Sequence, residues 1–195
     1  MKSKPSMSIP NNLNIIILIT SVIGCCLLLK LASILADGWL IFIPAIIFSF
    51  VANTVFSLLH ESVHGVFHTN SAVNRWGGCL AAVFFPTAFS IQKAFHLTHH
   101  KNNRSELERF DYIQDGEIVW LKYAQWYSIL TGLYWVISVL GLLSYLLVPR
   151  MLWMEPLQSK SSTATKQTAS VAYVAALEDL PPVKTRFEVL FTLLI

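Results

Sequence analysis

Between Leu13 and Leu35 the chain carries one charged side chain, Lys30. At about 1.5 Å per residue this run makes a helix of about 34 Å, longer than the ~30 Å apolar layer of a bilayer. A run of this length exceeds the apolar core of a signal peptide, and no A-x-A-like cleavage site follows it. It is expected to persist as a membrane helix, with Lys30 near one end reaching for the headgroups. Asp37-Gly38 predicts a tight turn and Trp39 an interfacial anchor. Trp39–Leu59 then predicts a second span, so the two runs form a transmembrane helical hairpin.

Composition agrees with a domain built in lipid. The 195 residues are 54% hydrophobic and only 13% charged, where a soluble domain would carry about 25% charge. The formal charge is +3, and no basic run suggests a nucleic-acid partner. Cys25, Cys26 and Cys79 lie in apolar stretches without C-x-x-C spacing, which reads as buried thiols. The length suits one domain, all-α and polytopic.

Lys2 and Lys4 precede the first span, and none of the basic residues lies in the 36–38 connection. Arg75, Lys93, Lys101, Arg104, Arg109 and Lys122 follow the second span. The excess of basic residues on cytoplasmic loops then places residues 1–12 and the 60–127 segment on the cytoplasmic side. Gly77–Ile91 is apolar but interrupted by glycine and Pro86, and is expected to be an interfacial or re-entrant helix. Residues 101–117 are polar. Trp120, Tyr123, Trp126 and Tyr127 form an aromatic belt ahead of a third span at 129–148. A membrane domain over 13–150 is thus expected, with spans at 13–35, 39–59 and 129–148.

Residues 151–186 read as a polar linker, with Pro181-Pro182 near its end. A single crossing at 129–148 places that linker outside, yet it holds Lys160, Lys166, Lys184 and Arg186. Either the charge rule is broken here or the third segment does not cross simply. The last stretch, 187-FEVLFTLLI-195, covers about 13 Å and reads as the start of a truncated fourth span.

All six histidines fall between His60 and His100. In 60-HESVHGVFH-68, His60 and His64 stand four apart on one helix face, with His68 a turn beyond. Ser49, Asn53 and Ser57 extend the same polar stripe backwards. Such a stripe on a membrane helix faces a protein interior or a functional cavity. In 96-HLTHH-100, His96, His99 and His100 repeat the pattern at i, i+3 and i+4. Imidazole is the commonest metal ligand and suits zinc, copper, iron and nickel. Five or six nitrogen donors exceed what one tetrahedral zinc uses, whereas two metal ions would use them.

HESVH resembles the first histidine box, HxxxH, of the membrane fatty acid desaturases and related hydroxylases. HLTHH resembles their second box, HxxHH. The hairpin, the short segment between boxes and the aromatic-rimmed span are also similar, so that the resemblance covers roughly residues 10–150. It implies a non-haem di-iron centre, O₂ and a lipid acyl substrate. It also implies an external electron donor of the ferredoxin or cytochrome b5 type. Box by box, it assigns iron ligation to His60, His64, His96, His99 and His100. His68 matches no box position and is left as a substitute ligand, a hydrogen-bond partner of a ligand, or a headgroup contact. Glu61 stands where the family often has an acid and is expected to orient a histidine. Asn53 and Asp111 are weaker partners of the same kind, each equally readable as helix capping or packing. The family's third histidine box is missing, and the chain is therefore expected to be an incomplete fragment.

Other readings remain. HESVH also fits H-E-x-x-H, the zinc-protease motif with Glu61 as general base, although this leaves HLTHH without a role. A hydroxylase or a carotenoid ketolase would use the same boxes. An inactive membrane remnant would bind no iron.

Overall fold

The computed structural model describes residues 8–36, 38–103, 105, 113, 118–128, 131, 133–147 and 175–195, and every regular element among them is helical. The fold is all-α. In chain order it has α1 (Asn11–Ile34), a 3-10 turn at Trp39–Ile41, α2 (Phe42–His64) and α3 (Ser71–Ala82). Then come α4 (Phe89–Asn102), α5 (Val119–Trp126), α6 (Leu133–Leu147) and α7 (Pro182–Leu194). The chain divides into two units, Met1–Phe85 and Pro86–Ile195.

In the first unit α1 packs on α2, and α3 packs on α2. Both α1 and Trp39–His64 are long and apolar enough to cross a bilayer. Their apolar side chains are not used up in packing: Ile16, Leu27 and Phe50 are 58%, 63% and 73% exposed. A core helix of a soluble protein would bury such residues. This pair presents them outward, where lipid is the favourable solvent, and the protein is membrane-associated.

The end of α2 shows why the sequence stops where it does. Gly65 adopts φ +76°, a left-handed conformation that costs glycine nothing. Its N–H returns to the Ser62 carbonyl at 3.1 Å, and the Val66 N–H to that of Glu61 at 3.0 Å. This pair of bonds satisfies carbonyls that the helix end would otherwise leave open. His68 consequently lies beyond the helix, and the expected extension of the histidine stripe by another turn is corrected.

The loop that follows is held by three asparagines. Buried Asn74 on α3 accepts from the N–H groups of Phe67 (3.1 Å) and His68 (3.2 Å) and donates to the Ser62 carbonyl (2.8 Å). From α1, Asn14 donates to the Phe67 carbonyl at 2.7 Å. Asn11 accepts from the Thr69 N–H at 2.9 Å and donates to its hydroxyl at 2.8 Å. Phe67, only 1% exposed, lies against the backbone of Gly77. A Cβ at Gly77 would meet Phe67 Cζ at 2.9 Å and Cδ1 at 3.0 Å, with Cε1 nearer still. The ring is enclosed and has nowhere to go. Gly77→Ala is expected to cost about 1–3 kcal/mol by overpacking, despite alanine's better helix propensity. Thermal unfolding in detergent checks this; an unchanged or raised midpoint refutes it.

The segment 77–91 is not one interfacial helix. α3 ends at Ala82, a run of turns covers 83–87, and α4 starts at Phe89. Pro86 disfavours helical geometry at Phe85, which explains the break.

The second unit has a core of Ala88, Ile91, Leu142, Tyr145, Leu177 and Val189. α7 packs on both α4 and α6. Pro182 opens α7, where its missing N–H costs nothing. α7 thus includes Lys184 and Arg186, which composition alone groups with the polar linker. α6, Leu133–Leu147, is about 22 Å long. On α5, Trp120 and Tyr123 are exposed while Lys122 is buried.

Candidate metal centre

Both histidine boxes occupy the last turns of a helix. His60 and His64 close α2, and His96, His99 and His100 lie in the final two turns of α4. The spacing does this by itself. Residues four apart on a helix are neighbours, and the rings of His60 and His64 sit with centroids 4.6 Å apart. Those of His96 and His100 are 4.5 Å apart. His99 is close to both, at 6.3 Å from His96 and 5.8 Å from His100. A helix C-terminus carries the negative end of the macrodipole, so both sets lie where positive charge is favoured.

The donor atoms suit a metal. His96 Nε2 and His100 Nε2 face each other at 2.9 Å. Two imidazoles bound at about 2.0–2.1 Å and roughly at right angles would hold their nitrogens about 3 Å apart. The α4 pair is hydrogen-bonded ring to ring at a separation that one ion could also span. Within each pair the ligand nitrogens lie no more than 4.8 Å apart. The donors are all imidazole nitrogens, a set that suits iron, zinc, copper or nickel.

Glu61 is placed as a neighbour of one ligand candidate. Its Oε1 lies 3.7 Å from His60 Nδ1, with both side chains partly exposed. That is beyond a direct hydrogen bond but close enough for charge attraction. Asn53 lies two turns before His60 on α2, is exposed, and its carbonyl accepts from the Ser57 hydroxyl at 3.0 Å. Asp111 lies outside the described residues.

His68 is set apart by its hydrogen bond as well as by its position. The Asn70 N–H donates to His68 Nδ1 at 2.9 Å. An acceptor nitrogen carries no proton, so the neutral ring has its proton on Nε2. Nε2 then carries the proton and offers no lone pair to a metal. His68→Ala is expected to leave the metal stoichiometry of the purified protein unchanged, measured by elemental analysis. Loss of one equivalent of metal would make His68 a ligand after all.

In the second unit a pocket of about 290 Å³ is lined by Ile91, Gln92, Phe95, Tyr134, Gly141 and Leu142, among others. Its lining is mainly apolar. Gln92 and Phe95 stand one turn before His96 and His99 on α4.

Sequence reasoning missed Asn74, Asn11 and Asn14. Nothing local distinguishes them, since their partners come from other elements. Gly65 was legible: a glycine directly after a helical run is the usual sign of a helix end.

A family model described as fatty acid desaturase matches residues 37–181. No curated protein and no solved structure matches the chain.

Proposed function

The chain belongs to the fatty acid desaturase family, and from that premise we propose that it is an O₂-dependent oxidoreductase that desaturates lipid acyl chains. The observation that carries this is the pairing of HESVH at the end of α2 with HLTHH at the end of α4, both inside the matched region. His60, His64, His96, His99 and His100 would supply ligands to a non-haem di-iron centre, whose remaining ligands the family takes from its third histidine box. Such a centre supplies the oxidising power needed to remove hydrogen from an unactivated C–H bond. The protein's part is to hold the ligands and to position a methylene against them, which fixes where the chain is oxidised. The apolar pocket beside α4 suits an acyl chain, and Gln92 gives it a polar point. Electrons would come from a separate ferredoxin- or cytochrome b5-type donor. The protein would be multi-pass, with both boxes on the cytoplasmic side.

The test is expression of the chain in a host without its own acyl desaturase, with fatty acid esters read by gas chromatography and mass spectrometry. New unsaturated species together with bound iron are expected. Hydroxy or keto products would move the chain to a sister activity on the same boxes. Unaltered lipids with bound zinc would end the desaturase reading and favour the H-E-x-x-H one.

Glu61→Gln separates these readings further. A carboxylate beside a ligand tunes it without being indispensable, so iron affinity should fall about 10–100-fold while product is still formed. In a zinc protease the same change removes the general base, and activity would disappear.

A further inference from the structure

α4 has no cap of its own. Its N-cap residue is Ala88, which makes no side-chain cap bond. The first-turn N–H groups of a helix lack intrahelical acceptors and need them when buried. Here one is supplied from far away in sequence. The Ser90 N–H donates to Glu188 Oε2 at 2.7 Å across 98 positions. Glu188 lies on α7 and is only 5% exposed. One turn on, the Thr192 hydroxyl donates to the Thr87 carbonyl at 3.3 Å. Between them Val189 enters the core with Ala88 and Ile91. A carboxylate is costly to bury, and the positive end of a helix is one setting that favours an anion.

We propose that Glu188 is a positioning residue for the second histidine box. It caps α4 from α7 and so fixes the rotation and axial register of the helix that carries His96, His99 and His100. His96 follows Ser90 by six residues, about 9 Å along the axis. A rotation permitted at the first turn would therefore reach the box undiminished. The link to the box rests on the metal-binding reading above, whereas the cap does not.

Two readouts on the full chain in detergent micelles test this. The first is amide hydrogen exchange over residues 89–95. Glu188→Leu should speed it about tenfold, the size of a lost helix cap, and Glu188→Gln, which keeps an acceptor, should restore most of the protection. Thr185→Ala is the control. Thr185 is also buried on α7, but among the described residues its hydroxyl bonds only the Pro181 carbonyl, at 3.0 Å. It should leave residues 89–95 protected as in the parent. The second readout is cobalt(II) affinity, followed by the absorption of the bound ion. Glu188→Leu should weaken it about tenfold or more.

Unchanged exchange over 89–95 in Glu188→Leu overturns the proposal. So does equal loss of protection in Thr185→Ala, which would show general loosening of α7. Faster exchange with undiminished cobalt affinity overturns the link to the box. A parent chain that takes up no cobalt defeats the metal reading instead, and exchange alone then decides the cap.

Discussion

Replacing His100 with alanine should remove bound metal and lower product formation on the order of 10²-fold or more, because a group made of ligands that act as a unit loses most of its effect with one member. The geometry makes this position the most exacting of the six. His100 Nε2 and His96 Nε2 are hydrogen-bonded 2.9 Å apart, so the ring removed is one of two whose nitrogens converge on one point. The ring left behind has one nitrogen donor where two had converged. His99, 6.3 Å from His96 between ring centres, is assigned as a ligand in its own right, so it does not replace the lost ring. Metal content of the purified variant and the fatty acid profile of the expressing cells are the two measurements. The parallel variant His68→Ala should keep its metal. If His100→Ala retains a full complement of iron and product, the second box is not the metal site.

Asn74→Leu is the second large effect, and it acts on the fold. Leucine is close to asparagine in size, so little cavity results. What is lost is the acceptor for two backbone N–H groups, the buried one of Phe67 and the part-buried one of His68. The buried Phe67 N–H costs about 1–3 kcal/mol when orphaned and the part-buried His68 N–H about 1 kcal/mol, so about 2–4 kcal/mol together is expected. The Ser62 carbonyl fares better, because the N–H of Gly65 still reaches it at 3.1 Å. Marginal stabilities of 5–15 kcal/mol make such a loss visible as a lower unfolding midpoint and faster proteolysis of the 65–70 loop. Asn14→Ala removes one bond to the Phe67 carbonyl, part-buried, and should cost about 1 kcal/mol. If Asn74→Leu unfolds within 1 kcal/mol of the parent, the loop does not depend on that amide.

These two variants mark what a reader of the sequence can and cannot see. The boxes were legible because helical spacing is a local rule, and His60, His64, His96, His99 and His100 need no tertiary contact to share a face. The two long apolar runs were legible for the same reason, as was the all-α class. Asn74 and Glu188 were not, since each matters through a partner 6 to 98 positions away. An asparagine in an amphipathic helix and a glutamate before an apolar stretch look like ordinary solvent-facing residues until the packing is known. His68 falls between these cases. Counting by fours placed it on the stripe, and the glycine at 65 that takes it off was in plain view. The break at 83–87 is similar, with Pro86 as its visible cause.

The cap on α4 also bears on the order in which a ribosome can finish the two boxes. The frame of the first box is complete once α3 has emerged, because Asn11, Asn14 and Asn74 all belong to the first 82 residues. The second box must wait for Glu188. At about 5–20 residues per second, the 98 positions separating Ser90 from its acceptor amount to about 5–20 s of synthesis. During that interval α4 stands with its first turn uncapped and its histidines already made. A nascent chain of this design can therefore settle its first box early but receives a fixed second box only after Glu188 has been added. Metal loading of the second box is thereby biased toward chains already extended past Glu188.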